Sequence, residues 1–428
     1  MKDDIMLING KIVDPATGYV GAATIHISAG KIVKIEKRKK TPSSSKRALN
    51  LDNLLVCPGF IDMHVHLREP GREDEETIMS GAEAAAAGGF TSLACMPNTD
   101  PPLDNAGAIE YINERALVAP VKIYPIGAIT VGQKGEKLTE MQEMTACGAV
   151  AFSDDGHGVQ NNDIMRRALE YAKACDVPLI SHCEFRDLAA EGVMNESFIS
   201  SLLGLKGITP VAEELMVARE IMLAEYTNGR VHIAHVSTAG SVELIKRAKK
   251  AKIKVTAEAA PHHFTLTDDL VKTFNTNLKI NPPLREKKDV EAVKKGLKEG
   301  AIDVIATDHA PHSVEEKELE FDYAPFGAVG LETAVGLVAT ELIHKDVLDW
   351  ASAVERLSAA PAKILGIPGG TFEEGAPADF TIIDPDLEWE VNPDEFKSLS
   401  RNTPFAGWKL KGKTVMTIVD GNIVFTML

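Results

Sequence analysis

From residue 57 to residue 364 the chain alternates between two textures. Short apolar, β-branched runs at 59–67, 91–97, 122–129, 149–155, 178–184, 230–236, 254–263 and 303–312 read as buried strands. Between them apolar positions recur at helical spacing over 75–87, 106–116, 137–146, 163–174, 210–226, 241–250 and 288–298. Two more helical stretches, 331–343 and 350–365, follow the last strand. Eight strands, each followed by a helix, are the count of a (β/α)8 TIM barrel in the α/β class. The ends of the chain read differently. Short strands at 5–8, 11–13, 23–28 and 31–35 are broken at Asn9-Gly10 and Ala29-Gly30, and a polar loop is expected over 39–47. Similar strands return at 378–383 and 413–419, and Asp420-Gly421 marks a hairpin before 423–425. This predicts a small composite β-sandwich domain built from both termini. Residues 1–56 and 365–428 would then enclose a barrel of residues 57–364. Two unrelated edge hairpins are the plainer alternative.

Composition narrows the class. Of 428 residues 44% are hydrophobic and 25% charged, the balance of a soluble globular protein. The 62 acidic and 46 basic side chains leave a net charge of -16, which argues against nucleic acid as the main partner. The lysine-rich stretches 37–40 and 246–254 read as solvated faces. Cys57, Cys95, Cys147, Cys175 and Cys183 are scattered with no CxxC pair, so neither a disulfide framework nor a cysteine zinc site is expected. No apolar run approaches the roughly 18 residues of a membrane span, and the N-terminus lacks the texture of a secretory signal. A cytoplasmic protein without membrane contact is expected.

In such a barrel, chemistry sits where strands end. The first strand ends in His64-Val65-His66, whose two imidazoles share a face by the period of two. The fourth ends in Ser153-Asp154-Asp155, the fifth at His182, the sixth near His235 and the eighth at Thr307-Asp308-His309. A single histidine there is ordinarily structural. Together, His64, His66, Asp155, His182, His235 and Asp308 offer six nitrogen and oxygen ligands at one mouth, which suits zinc or the neighbouring manganese, cobalt and iron. His26 and His344 fall outside the mouth, and His232 faces away from His235 by strand parity. His157, His262, His263, His309 and Glu184 are expected in supporting roles or in solvent.

Four stretches carry a resemblance over nearly the whole chain. They are Gly59-Phe-Ile-Asp-Met-His-Val-His-Leu-Arg-Glu-Pro-Gly71, Met96-Pro-Asn-Thr99, Ser181-His-Cys-Glu184 and Ala306-Thr-Asp-His-Ala-Pro-His312. They resemble the bacterial class I dihydroorotases of the amidohydrolase superfamily. The resemblance implies two zinc ions per subunit bridged by Asp155, with Asp154 as the other candidate. Hydantoinases, allantoinases and some dihydroorotases use a carboxylated lysine there, and residues 149–156 contain no lysine. It implies reversible closure of N-carbamoyl-L-aspartate to L-dihydroorotate and water, the third step of pyrimidine synthesis. Asp308 would be both ligand and general base. His66, Arg68, Asn98, Asn281, His312 and the backbone at Phe326 and Gly327 would contact the small-molecule substrate. On residues alone, Arg68 could instead pair with Glu69 or Glu73, and Asn98 and Asn281 could be turn residues. A homodimer and association with an aspartate carbamoyltransferase are also implied. The alternatives are another cyclic-amide hydrolase, dihydropyrimidinase or allantoinase, and a non-catalytic scaffold for a carbamoyltransferase.

Overall fold

The computed structural model describes residues 4–37 and 47–428. Most of the loop expected over 39–47 lies outside the described residues. Eight parallel strands form the central sheet, in chain order: Phe60–Val65, Phe90–Cys95, Lys122–Ala128, Ala151–Ser153, Leu179–Ser181, Val231–Ile233, Val255–Ala259 and Val304–Ile305. A parallel bridge between Val65 and His309 closes the ring, and the His66 amide donates to the His309 carbonyl at 2.8 Å. Below it, buried Asp62 accepts from the amides of His64 at 3.1 Å and Thr307 at 3.2 Å. The first and last strands are thus tied by a carboxylate as well as by main chain. The interior is packed with Met63, Ala94, Met96, Ile126, Ala151, Ile180, Ala234, Val304 and Ala306, and Leu365 joins this cluster. Large and small side chains together fill the barrel, so it is a core and not a pore.

The terminal strands form two sheets. One has four strands, ordered Lys31–Glu36, Thr24–Ser28, Ile5–Ile8, Arg47–Asn50. The other has six, ordered Asn422–Thr426, Lys409–Val419, Phe380–Glu390, Leu55–Pro58, Lys11–Asp14, Tyr19–Ala22. Leu55–Pro58 pairs antiparallel with Phe380–Glu390 and parallel with Lys11–Asp14, so strands from both ends share one sheet. Ile5, Leu7 and Ile25 of the first sheet share an apolar cluster with Ile12, Val56, Ile382, Val415 and Met416 of the second. The composite sandwich expected from the texture of the two ends is the one observed.

The sandwich also completes a barrel helix. Helix Ile78–Gly88 ends at Gly89, whose φ of 98° is the left-handed turn that glycine tolerates. A Cβ there would meet Thr381 Cγ2 at 2.6 Å. The last carbonyls of a helix have no partner within it. Here Thr417, Thr414 and Thr381 donate their hydroxyls to the carbonyls of Ala86, Gly88 and Gly89 at 2.7, 2.9 and 2.6 Å.

The structure departs from the sequence pattern in places. The stretch expected as one helix from 350 to 365 passes through a π turn at Glu355–Ala359 just before Pro361, which has no N–H to continue the ladder. Residues 186–209, between the fifth strand and its helix, carry no strong period. They fold as helices Arg186–Ala189 and Phe198–Leu203 with a ribbon pairing Met194–Asn195 to Gly207–Ile208. No described helix is long and apolar enough to cross a membrane.

Ending the chain at Ala376 would remove three strands of the six-stranded sheet and all three threonine caps. The 1–376 fragment is expected to be insoluble because its exposed sheet edge and core face associate. A soluble, monodisperse fragment in size-exclusion chromatography would contradict this.

Candidate active site

The sequence pattern carries the later strands through their polar ends, whereas the structure ends each strand earlier. Asp155 lies two residues beyond Ser153, His182 one beyond Ser181, His235 two beyond Ile233 and Asp308 three beyond Ile305. At the rim the main chain leaves the ladder and turns these side chains into the mouth. His235 and Asp308 do so with φ of 32° and 51°, and Arg68 has 58°. Non-glycine residues hold this backbone only where the surroundings impose it, and such positions gather at functional sites.

One cavity of about 220 Å³ is lined by His66, Arg68, Asn98, Asp155, Gly156, His182, His235, Asn281, Asp308, Ala310, His312, Phe326 and Gly327. Of the ligands and substrate contacts expected from the sequence, all line it except His64, which lies fully buried; Asp154, the other bridge candidate, does not line it. The volume is below the roughly 300–1,000 Å³ of pockets for drug-sized ligands, so the site is cut for a small molecule.

At its floor, carboxylate oxygens face imidazole nitrogens, and of these contacts only that of Asp308 with His66 is a hydrogen bond. Asp155 Oδ1 stands 3.5 Å from His64 Nε2, 3.7 Å from His182 Nδ1 and 3.6 Å from His235 Nε2. Its Oδ2 is 3.6 Å from His66 Nε2. Asp308 Oδ1 is 3.5 Å from His64 Nε2 and 3.3 Å from His66 Nε2. His64 Nε2 and Asp155 Oδ1 are buried with no hydrogen-bond partner. Ligand atoms about 2.1 Å from a tetrahedral cation stand about 3.4 Å apart, so these separations match the edges of a coordination shell. Two overlapping ligand groups are present, His64–His66–Asp308 and His64–Asp155–His235. His182 joins the second through its Nδ1, 2.9 Å from His235 Nε2.

Electrostatics follow the same arrangement. Burial alone would raise the Asp308 and Asp155 carboxyls. The imidazoles, His64 foremost, outweigh it and hold both below the ordinary carboxylate range. Burial opposes charge on His64, but Asp155 and Glu258 raise its pKa. Asp154 is turned elsewhere. It accepts from the amides of Ile129 at 2.8 Å and Thr130 at 3.1 Å, and burial raises its pKa to about 6.

Glu258, on the seventh strand, was not singled out in the sequence. It accepts from His64 Nδ1 at 2.5 Å, His232 Nε2 at 3.0 Å and the His235 amide at 3.3 Å. With its proton held on Nδ1, His64 presents a bare Nε2 to the cavity, the usual use of a carboxylate behind a ligating imidazole. The available signal was a lone acid in the apolar run Ala257-Glu258-Ala259, since a buried charge needs partners. Asn98 does the same for His66, its Oδ1 lying 2.8 Å from Nδ1. His263 donates to the Pro282 carbonyl at 2.8 Å, and His262 Nε2 lies 3.9 Å from Asp308 Oδ2. His309 Nε2 meets Glu76 at 3.2 Å, and His157 is exposed.

The upper wall is cationic. Arg68 Nε donates to the Pro311 carbonyl at 3.1 Å and pairs with Glu75 Oε2 at 3.0 Å. The sequence offered Glu69 or Glu73 for that partner. Glu69 instead takes Arg115 at 2.7 Å, and Glu73 caps the Gly71 amide at 2.9 Å. His312 Nε2 lies 3.3 Å from Arg68 Nη2 and 2.8 Å from the Phe326 carbonyl. Asn281 Oδ1 is buried without a partner. The Gly327 amide is already bonded to the Lys279 carbonyl at 2.9 Å.

Residues 55–424 match the model of the amidohydrolase family. The chain is 56% identical over 420 residues to a dihydroorotase of Pelotomaculum thermopropionicum, covering 98% of each chain. It is 50% identical to a dihydroorotase of Syntrophotalea carbinolica over 99% of each. Among solved structures it is similar to the L-hydantoinase (dihydropyrimidinase) from Arthrobacter aurescens, with a TM-score of 0.89 and 26% identity, over 99% of this chain and 96% of that one. With this barrel, this cavity and these relatives, the chain belongs to the amidohydrolase family and, within it, to the dihydroorotases.

Proposed function

We propose that the protein interconverts N-carbamoyl-L-aspartate and L-dihydroorotate with a pair of zinc ions at the cavity floor. The observation that carries this reading is one small cavity with imidazoles and carboxylates at coordination spacing below and an arginine–histidine pair above. His64, His66 and Asp308 would hold one ion, His182 and His235 the other, with Asp155 between them. The donor set suits zinc, with manganese, cobalt and iron as chemical neighbours. When bound, the metals supply Lewis acidity that eases deprotonation of water and polarises the ring carbonyl.

The protein's own groups do the rest. In ring opening, Asp308 takes the proton of the attacking water and returns it to the departing ring nitrogen; ring closure runs these transfers in reverse. Its position past the strand end leaves the carboxylate facing both the floor and the cavity. Asn281 Oδ1, buried and unpaired, is an acceptor for a ring N–H. Arg68 and His312 receive the ring carboxylate, and Asn98 contributes its amide beside His66. Substrate at the Phe326–Gly327 backbone would share or displace bonds already made there. From the family likeness we carry also a cytoplasmic location, a homodimer and association with an aspartate carbamoyltransferase. A dihydropyrimidinase, whose ring lacks the carboxylate, would make no use of the Arg68 guanidinium at the cavity wall.

Asp155→Asn keeps size and removes the charge between the two ligand groups. It should lose one metal equivalent by plasma emission and lower kcat at least about a hundredfold, or ~2.7 kcal/mol. Asp154→Asn should keep its metal, since Asp154 bonds main-chain amides. The opposite pattern would reassign the bridge.

A charge-assisted contact contributes about 1.5–3 kcal/mol. Dihydrouracil should therefore react at least about a hundredfold more slowly than dihydroorotate. Arg68→Met should remove most of that difference by slowing dihydroorotate alone. Equal kcat/KM for the two rings on the unmodified protein would favour the dihydropyrimidinase reading.

A further inference from the structure

We infer that Glu75 is the positioning residue of the carboxylate clamp: one buried side chain that holds Arg68 and His312 together at the geometry in which they receive the substrate's carboxylate. This rests on the dihydroorotase reading above.

The geometry is specific. Glu75 is 1% exposed. Its Oε2 meets Arg68 Nε at 3.0 Å, and its Oε1 meets His312 Nδ1 at 2.8 Å and Arg72 Nη2 at 3.1 Å. Its own main chain is pinned: its amide donates to the Arg72 carbonyl at 3.0 Å, and its carbonyl accepts the Ser400 hydroxyl at 2.7 Å. The His312 main chain is fixed from the same C-terminal segment, its amide donating to Asn402 Oδ1 at 3.1 Å. Glu316 also reaches His312 Nδ1, at 3.3 Å, but its side chain is 30% exposed and its other oxygen takes Arg72 at 2.7 Å. Glu75 is therefore the tighter and drier partner.

The proton count explains why a carboxylate is needed. An ionised carboxylate only accepts, so His312 must place a proton on Nδ1 to bond Glu75. That fixes the ring's orientation and leaves Nε2 facing Arg68 and the Phe326 carbonyl at the cavity wall. Arg68 Nε gives its hydrogen to the Pro311 carbonyl and meets Glu75 Oε2 as an ion pair, so Glu75 holds Arg68 by charge through one oxygen and His312 by a hydrogen bond through the other. An amide of the same shape removes the charge that holds Arg68. It also lets His312 shift its proton to Nε2 and accept at Nδ1, so the pair loses both its ion pair and its fixed tautomer.

Charge and position give opposite signs, which makes the test decisive. If Glu75 served only as a negative charge near the site, removing it would make the wall more cationic and tighten anion binding. If it positions, removing it weakens binding of the ring that carries a carboxylate and leaves the other ring alone. The experiment uses the metal-loaded protein and measures kcat and KM for dihydroorotate, kcat/KM for dihydrouracil and metal content. Glu75→Gln should raise KM for dihydroorotate at least about tenfold, about one bidentate contact's worth, with kcat within about threefold. Dihydrouracil turnover and metal content should not move. In an Arg68→Met, His312→Gln background the same change should have no further effect on KM for dihydroorotate, because Glu75 reaches the substrate carboxylate only through those two. Glu75→Asp keeps the buried charge and shortens its reach, so it gives the reading if the glutamine variant does not fold. It should raise KM at least about threefold. An unchanged or lowered KM in the variant that folds, or equal losses on both rings, or lost metal, would overturn the inference. If the unmodified protein does not prefer dihydroorotate to dihydrouracil, it is the dihydroorotase reading that fails instead.

Discussion

The structure turns on charge buried without hydrogen-bond partners. Asp155, 4% exposed, faces four imidazoles at distances too long for hydrogen bonds, and His64 Nε2 beneath it is fully buried and unpaired. An isolated buried charge costs several kcal/mol, and removing one partner of a buried pair costs about 3–5. Such a cluster persists only if a cation completes it or if the fold holds it at that cost. Much of the surrounding architecture serves to hold it. Glu258 and Asn98 orient two of the rings from behind, Asp62 ties the first strand to the eighth, and left-handed backbone at His235 and Asp308 is imposed by the rim.

The terminal domain belongs to the same constraint. Its threonines complete a barrel helix, and the segment leading into its longest strands reaches the mouth. Ser398 and Leu399 bond Glu76, Ser400 bonds the Glu75 carbonyl, and Asn402 holds Ala310, His312 and Gly327. The C-terminal residues thus set the loops that carry the cationic wall, although none of them lines the cavity.

What could be read from the sequence was what repeats or alternates. Eight apolar strands with intervening helices, and β texture at both ends, follow from local pattern. Imidazoles and acids at the ends of apolar runs follow from the cost of burying them. Groups that act across the fold were less legible. Glu258 lies 194 residues from the imidazole it orients, and Glu75 lies 237 from His312. Within Glu73-Asp74-Glu75-Glu76 nothing local says which acid turns inward, and the neighbours Glu69 and Glu73 were the natural guesses for Arg68. The sequence pattern runs on through the polar residues that follow the strands, whereas the ladder stops before those residues turn into the mouth. Residues 186–209 carry no strong period because their folding depends on tertiary bonds such as Arg285 to Asn195 and the Ile208 carbonyl, both at 2.9 Å.

The central claim is that the cavity floor is a two-metal centre divided by Asp155. Anomalous diffraction at the zinc edge, on crystals of protein purified without added metal and then titrated with zinc, tests it most directly. Two peaks about 3.5–4 Å apart are expected, one beside His66 and Asp308 and one beside His182 and His235, with Asp155 reaching both. A single peak at saturation, or zinc bound away from His182 and His235, would contradict it.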